Sequence, residues 1–108
     1  MAITTVTSAN FESEVLNSDK PVLVDFWAAW CPFCTKLAPH FEAVAGDMDG
    51  DIKFARINID DEEPLSDSFN VDTIPTLMLF RNGKPLGSVI APGTRAEVED
   101  FIRRTLAH

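Results

Sequence analysis

Cys31 and Cys34 are the residues of this chain whose type and spacing best suit chemistry, and the sequence contains no other cysteine. They follow a run of aromatic residues in "FWAAWCPFC" (26–34), where a strand pattern ends and a helix pattern begins. Unpaired backbone N–H groups and the helix dipole at such a point favour a thiolate at Cys31 over a thiol. Cys34 follows one turn later, close enough to form a bridge. Two sulfurs so placed can attack a disulfide and then resolve the mixed disulfide within the chain.

Three other uses of the cysteine pair must be weighed against redox chemistry: a structural disulfide, half of a zinc site, or two inert thiols. A bridge that closes so short a loop constrains the unfolded chain little, and structural disulfides are rare in a reducing cytosol. A structural zinc site needs four ligands, and only His40 and His108 remain as plausible donors. Redox chemistry is therefore the favoured interpretation. We expect neither a metal nor a bound cofactor.

The composition limits the class of protein and its partners. A chain of 108 residues with 45% apolar content predicts one globular domain over 1–108. Its formal charge of −8 argues against nucleic acid and anionic membranes as partners, since both require clustered basic residues. No apolar segment approaches the roughly 20 residues of a membrane span, and the first residues lack the pattern of a signal peptide. Taken as a full-length product, the chain is expected to be a cytoplasmic monomer.

Apolar patterning predicts alternating strands and helices. A nearly continuous β-branched and aromatic run at 21–29 is typical of a strand buried on both faces. Asn82-Gly83, a dipeptide suited to positive φ, predicts the turn of a hairpin. Strands are predicted at 3–6, 21–29 and 52–60 and in a hairpin over 75–90, and helices over 8–17, from Pro32 onward, within 60–69 and over 94–107. This order predicts an α/β fold with a mixed sheet covered by helices on both faces.

Several motifs taken together resemble the thioredoxin family. They are "VDFWAAWCPFC", the proline at 39 in the following helix, "INID", "FNVDTIPTLMLF" and "RNGK", and the similarity runs from Ser8 to the C-terminus. The resemblance implies the thioredoxin fold and a protein-disulfide reductase with Cys31 as nucleophile and Cys34 as resolving thiol. It also implies a cis peptide at Ile74-Pro75 that faces the cysteines. The implied partners are protein disulfide substrates and an NADPH-linked thioredoxin reductase as electron donor.

The resemblance also assigns the residues around the cysteines. Asp25 is the one charged residue in the central strand pattern, and a core carboxylate is costly unless it is used or paired. By resemblance Asp25 lies behind Cys34 and moves its proton, with a pKa raised by desolvation. Cys31 is expected to be the exposed thiol and Cys34 the shielded one. An apolar substrate-binding surface is expected around Cys31, formed by Trp30, Phe33, Ile74, Pro75, Ala91 and Pro92.

The sequence departs from the usual family pattern in three places. The dipeptide between the cysteines is Pro32-Phe33 rather than Gly-Pro, which is closer to the glutaredoxin pattern of proline followed by an aromatic residue. Arg56 stands where the family usually has a lysine beside the buried aspartate, and arginine cannot give up its proton. Ala91 stands where the family generally has a glycine, so its Cβ is expected to narrow or reshape the substrate groove.

The altered dipeptide predicts a milder reductant. Proline at the first helical position needs no N–H, so Phe33 and Cys34 are both expected to donate to the Cys31 sulfur. An added N–H bond to a charged acceptor is worth about 1.5–3 kcal/mol, which corresponds to a potential roughly 30–60 mV higher. Alternatively, Phe33 only covers apolar surface and the potential is unchanged.

Two further functions are kept as alternatives. A glutaredoxin-like, glutathione-dependent oxidoreductase would explain Pro32-Phe33, but the strand and helix before 21–29, "FWAAW" and "TIPT" argue against it. A thioredoxin-fold binding module with an incidental cysteine pair is the alternative from a different class.

Overall fold

The structure is a computed structural model that describes residues 3–107. The strands are β1 (Thr4–Thr5), β2 (Val22–Trp27), β3 (Lys53–Asn58), β4 (Thr76–Arg81) and β5 (Lys84–Ile90). The helices are α1 (Pro32–Met48), α2 (Glu63–Ser68) and α3 (Arg95–Leu106), and a π-helical segment, Glu12–Leu16, precedes β2. His108, weighed above as a zinc ligand, lies outside the described residues.

Strand β2 lies in the middle of the sheet, whose order over the described residues is β1-β3-β2-β4-β5. It runs parallel to β3 and antiparallel to β4, so its backbone is paired along both edges. All its residues except Trp27 are buried. The continuous apolar run at 21–29 is explained by this position, because a strand covered on both faces has no side that water can reach.

Side chains alternate along β2 between two apolar cores, one on each face of the sheet. Leu23 packs in the core under α1 and α3, which also contains Phe41 and Phe101. Val24 and Phe26 pack in the core on the opposite face, under the π-helical segment and α2. Because Asp25 has the same parity as Leu23, its side chain belongs to the α1 face of the sheet. The predicted mixed sheet with helices on both faces is therefore confirmed.

Four residues separate the end of β2 from the start of α1, whose N-cap and first turn supply the two cysteines. Cys31 is its N-cap residue, Pro32 occupies the first turn, and the helix continues through Pro39 to Met48. Proline is well tolerated in the first turn because its missing N–H has no partner there. The helix buries Cys34, Leu37 and Phe41 on its inner face, so its first turn is fixed by the core.

The predicted helix over 8–17 is shorter and wider in the structure. Phe11 and Val15 are buried, as the spacing predicted, but the N–H of Asn17 bonds to the carbonyl of Glu12, five residues back, at 2.9 Å. This is the hydrogen bond of a π-helical turn, which is rare in general and is not distinguished by apolar spacing over so few residues.

The β4–β5 hairpin brings two distant loops together at the end of the sheet. Asn82 (φ 55°) and Gly83 (φ 80°) form its turn in the left-handed region, as the dipeptide predicted. At the other end, the N–H of Ala91 bonds to the carbonyl of Pro75 at 2.8 Å. The Ile74-Pro75 peptide is cis, as the resemblance implied.

None of the helices within residues 3–107 is long and apolar enough to cross a membrane.

Candidate active site

Cys31 caps α1 with its side chain. Its backbone is extended (φ −93°, ψ 112°), and its Sγ accepts a hydrogen bond from the N–H of Cys34 at 3.2 Å. The Cys31 thiol also donates to the carbonyl oxygen of Ile74 at 3.8 Å. Both cysteines are free thiols in this structure. The sulfur therefore satisfies a helix N–H that would otherwise lack a partner and faces the cis-proline loop.

The expectation of two N–H donors to this sulfur is wrong. Among the described residues, Cys34 is the backbone donor that reaches the Cys31 Sγ, and the N–H of Phe33 makes no such bond. A cap side chain bonds to the second or third helical residue, and here the sulfur bonds to the third while it also contacts the Ile74 carbonyl. The observed bond does not depend on which residue occupies position 33.

The expectation that Cys31 is exposed is also wrong, whereas Cys34 is shielded as expected. Cys31 is 4% exposed and Cys34 1%, so both are buried in the dithiol form. Together with Ala28 they form a small cluster against which Trp27, Ile59 and Ile74 pack. Cys31 is buried because Ile74 lies against it. This contact cannot be predicted from the residues around the cysteines, because Ile74 is far from them in the chain.

The environment of Cys34 keeps its thiol protonated. Burial, and secondarily its contact with the Cys31 thiol, raises the pKa of Cys34 to about 12. The negative charge of Asp25 makes a small contribution to this rise, so the two groups interact electrostatically. At neutral pH Cys34 can act as a nucleophile only if a base removes its proton.

Asp25 is a buried carboxyl group on the side of the sheet that α1 covers. It is 1% exposed, and burial raises its pKa from 3.8 to about 6, in the predicted direction, although Arg56 acts in the opposite sense. Asp25 and Arg56 are paired residues of β2 and β3. The Arg56 Nε lies 3.4 Å from Oδ2, an ion pair without hydrogen-bond alignment, and both carboxylate oxygens lack a hydrogen-bond partner. At neutral pH the carboxyl is therefore mostly ionised, but it takes up a proton far more readily than an ordinary aspartate.

Trp27 explains why Arg56 does not bond to the carboxylate. The guanidinium carbon of Arg56 lies 4.4 Å from the centroid of the Trp27 ring, a cation–π contact at the end of β2. The guanidinium is therefore shared between the indole face and the carboxylate. Sequence analysis identified the pairing of Arg56 with Asp25 but not this second contact.

Asp60 is a site residue that the sequence analysis did not identify. Its Oδ2 accepts a hydrogen bond from the indole Nε1 of Trp30 at 2.8 Å. Strands β2 and β3 are parallel, with Trp27 opposite Asn58, so the residues that follow them emerge at one edge of the sheet. That register is the signal that could have placed Trp30 beside Asp60.

The expected apolar surface around Cys31 is present in part. Trp30 and Phe33 are 66% and 64% exposed, Ala91 is also exposed, and Ile74 is half-buried. Pro75 and Pro92 are buried, and Pro92 contributes to this surface from below, in a groove that Phe33 and Ala91 also line. Pro75 leads directly into the buried strand β4, which draws it below the surface. Ala91 has φ +50°, a left-handed conformation that favours glycine.

The comparisons with known proteins agree with this geometry. A family model described as Thioredoxin matches residues 2–104. The chain is 36% identical to a thioredoxin of Porphyra purpurea over 107 residues, 99% of this chain and 100% of that protein. It is 40% identical to a thioredoxin of Pyropia yezoensis over 107 residues, with the same coverage. A thioredoxin of Pseudomonas aeruginosa is 39% identical over 100 residues, 93% of each chain.

Two cysteines in Cys-X-X-Cys spacing, at the start of a helix and beside a cis proline, define a thiol–disulfide oxidoreductase. The chain belongs to the thioredoxin family. The resemblance based on the sequence motifs is thereby confirmed, and the glutaredoxin and binding-module alternatives gain no support from the matches.

Asp25→Asn should stabilise the protein at pH 8 and change its stability little at pH 4. Because the pKa of Asp25 is about 6 in the folded protein and 3.8 ordinarily, the folded state binds the proton more tightly. The free energy of unfolding of the wild type should therefore fall as pH rises from about 4 to 6, by about 3 kcal/mol in total. Asparagine has no such titration. Urea unfolding at pH 4, 6 and 8 measures the difference.

Asp51→Asn is the matched control, because Asp51 is exposed and the same chemical change should leave the pH dependence as in the wild type. If Asp25→Asn unfolded with the same pH slope as the wild type, the raised pKa of Asp25 would be refuted.

Proposed function

We propose that this protein reduces protein disulfides with Cys31 as the attacking thiol and Cys34 as the resolving thiol. The supporting observation is the position of the Cys31 Sγ, which caps α1 and accepts the Cys34 N–H at 3.2 Å. A thiolate at this position is stabilised by the same N–H and by the helix dipole. The thiolate attacks one sulfur of the substrate disulfide. A mixed disulfide forms, the substrate S–S bond breaks, and the other substrate sulfur leaves as a thiolate that takes a proton from water.

The second step releases the reduced substrate. Cys34 attacks the Cys31 Sγ, the mixed disulfide breaks, and the second substrate sulfur leaves and is protonated. The Cys34 proton passes to the carboxylate of Asp25 as the new S–S bond forms. The protein ends as the Cys31–Cys34 disulfide, and the substrate has gained two electrons and two protons. Asp25 suits this task because a carboxyl with a pKa of about 6 is mostly ionised at neutral pH and is a stronger base than an ordinary aspartate.

Arg56 acts in this scheme as a fixed positive charge. It cannot exchange a proton, and its cation–π contact with Trp27 holds the guanidinium beside Asp25 without a direct hydrogen bond. It therefore limits how far burial raises the pKa of the carboxyl. Asp25 alone moves the proton.

The family has protein disulfide substrates and reductase partners in general. For this chain, the proposed electron donor is an NADPH-linked thioredoxin reductase, which would reduce the Cys31–Cys34 disulfide after each turnover. A thiol pair that must be re-reduced suits the cytoplasm, where thiols are kept reduced. The net charge of −8 disfavours self-association, and the proposed working form is a monomer.

Reduction of insulin disulfides tests the function. With dithiothreitol as donor the protein should accelerate insulin reduction over dithiothreitol alone. Turnover that depended on glutathione would favour the glutaredoxin-like alternative, and the absence of acceleration with either donor would favour a binding module.

Cys34→Ser should accumulate mixed disulfides with oxidised insulin, because Cys31 can still attack while nothing resolves the adduct. Cys31→Ser should accumulate few, since the remaining thiol is 1% exposed and has a pKa of about 12. Mass spectrometry of the adducts compares the two variants. The roles would be reversed if alkylation of the wild type at pH 6 modified Cys34 faster than Cys31.

Asp25→Asn should slow the release of reduced substrate and leave the initial attack unchanged, because it removes the base for Cys34 and does not alter the cap at Cys31. Stopped-flow Trp fluorescence separates the two steps with a disulfide-linked peptide. A proportionate slowing of both steps would point to a structural role for Asp25. The defect should lessen as pH rises, because hydroxide can then deprotonate Cys34.

The reduction potential should lie slightly above that of a variant with a typical family dipeptide. Because Phe33 does not bond to the Cys31 sulfur and each dipeptide contains one proline, the expected gain is limited to moving one N–H from the first helical position to the second, where N–H groups point toward the cap. Such a helix-terminal effect is worth about 0.3–1 kcal/mol, or roughly 6–20 mV. The potentials of wild type and Pro32→Gly/Phe33→Pro, equilibrated with glutathione, give the difference. A double variant no more reducing than the wild type would remove the basis for a milder reductant.

A further inference from the structure

Asp25, Trp27 and Arg56 project from the same face of the sheet. Asp25 and Trp27 are two residues apart on β2, and alternate side chains of a strand share a face. Arg56 is the residue of β3 that is paired with Asp25. Its side chain can therefore reach either the carboxylate directly opposite or the indole that lies diagonally beyond it.

The contact of the guanidinium with the indole is better formed than its contact with the carboxylate. The Arg56 Cζ lies 4.4 Å from the centroid of the Trp27 ring, well within the roughly 6 Å of a cation–π contact. The Arg56 Nε lies 3.4 Å from the Asp25 Oδ2 without a hydrogen bond. Both this Nε and the two carboxylate oxygens are buried and lack hydrogen-bond partners among the described residues. A small displacement of the guanidinium from the ring would let it form a charge-assisted hydrogen bond to the carboxylate.

The other neighbours of Asp25 do not account for the position of the guanidinium. The ionisable groups that face this carboxyl are Arg56 from β3 and the Cys34 thiol from α1, and the residue opposite it in β4 is the apolar Leu77. Because the pKa of Cys34 is raised to about 12, its thiol carries no charge at neutral pH that could attract Arg56. Trp27 is therefore the neighbour that competes with the carboxylate for the guanidinium.

We propose that Trp27 is a positioning residue for the resolving step: its ring holds the Arg56 guanidinium out of hydrogen-bond alignment and so keeps the Asp25 carboxylate available to accept the Cys34 proton. This inference rests on the proposed disulfide reductase function. An aligned guanidinium would stabilise the carboxylate and make it a weaker base. The role depends on arginine, because its planar guanidinium stacks on aromatic faces.

Trp27→Leu should lower the pKa of Asp25 by about one unit, since the released guanidinium can add one hydrogen bond to a charged group. The chemical shift of the Asp25 carboxyl carbon, followed by NMR in the dithiol form, measures this pKa without any turnover. Tetrafluorotryptophan in place of Trp27 should shift the pKa in the same direction. Its fluorines remove most of the negative charge of the ring face and change the shape of the ring little, so the fold is kept.

The rate of the resolving step should fall together with this pKa. The substrate is a peptide whose single cysteine is joined to a chromogenic aromatic thiol, which leaves in the first attack because it has the lower pKa. Decay of the adduct between Cys31 and the peptide, followed by rapid acid quench and mass spectrometry, then reports the second step. At pH 7 Trp27→Leu should slow this decay about threefold, because a base that is tenfold weaker accepts a proton more slowly. Release of the aromatic thiol should be unchanged.

Two controls separate positioning from a structural effect. In the background of Arg56→Met, Trp27→Leu should leave the pKa of Asp25 unchanged, because there is no cation to release. Phe69→Leu tests for a general loss of stability, since Phe69 packs against Phe80 in the core on the opposite face of the sheet. This variant should keep the wild-type pKa of Asp25 and the wild-type rate of adduct decay.

The two proposals fail in different ways. A wild type that forms no peptide adduct would refute the reductase function, and with it any resolving step. An unchanged pKa of Asp25 in both Trp27 variants, or a lowered pKa without slower adduct decay, would refute the role of Trp27 alone. A pKa shift that persists when Arg56 is replaced by methionine would also refute it, because the shift would not then act through the guanidinium.

Discussion

The burial of β2 on both faces is the constraint on which the rest of the site depends. A strand paired along both edges and covered by helices cannot reach solvent until it ends, so the loop at its end is the first place where reactive groups can meet a substrate. Helix α1 starts there, and its first turn offers N–H groups to whatever side chain caps it. The same burial raises the pKa of Asp25, because that carboxyl lies inside the strand rather than at its end.

The electrostatics of the site follow from the incomplete neutralisation of the Asp25 charge by Arg56. A carboxylate with a well-aligned arginine has a lowered pKa, whereas this one keeps a raised pKa although Arg56 is within 3.4 Å. The difference comes from burial, which outweighs the attraction of Arg56, whose guanidinium lies over the Trp27 ring and out of hydrogen-bond alignment with the carboxylate. An incompletely compensated buried carboxyl destabilises the fold at neutral pH but is available as the proposed base for Cys34. The buried carboxyl that makes the site reactive therefore lowers the stability of the fold.

Sequence reasoning located the elements and the two sulfurs because the signals for them are local. The apolar run of β2, the cysteines at the helix start and Asn82-Gly83 each define their own structure. Apart from the N–H of Phe33 and the π-helical turn before β2, the errors concern contacts between segments far apart in the chain. Ile74 covers Cys31 and directs its sulfur, and Asp60 holds the indole of Trp30. Neither of these contacts can be predicted from the spacing of residues within one segment. Only the contact between Trp30 and Asp60 could have been predicted, from the register of β2 against β3.

Ala91 shows how a strained residue can be tolerated at the rim of such a site. A non-glycine residue in the left-handed region costs roughly 1–2 kcal/mol, and here the hydrogen bond from its N–H to Pro75 holds it there. Pro75 is in turn fixed by the strand that follows it, so the strain at Ala91 is opposed by the packing of β4 in the sheet. Strain of this kind persists only where the surroundings determine the backbone. Ala91 and Phe33 line the same groove beside the thiol site. These two departures from the family pattern therefore change one surface rather than the chemistry at the sulfurs.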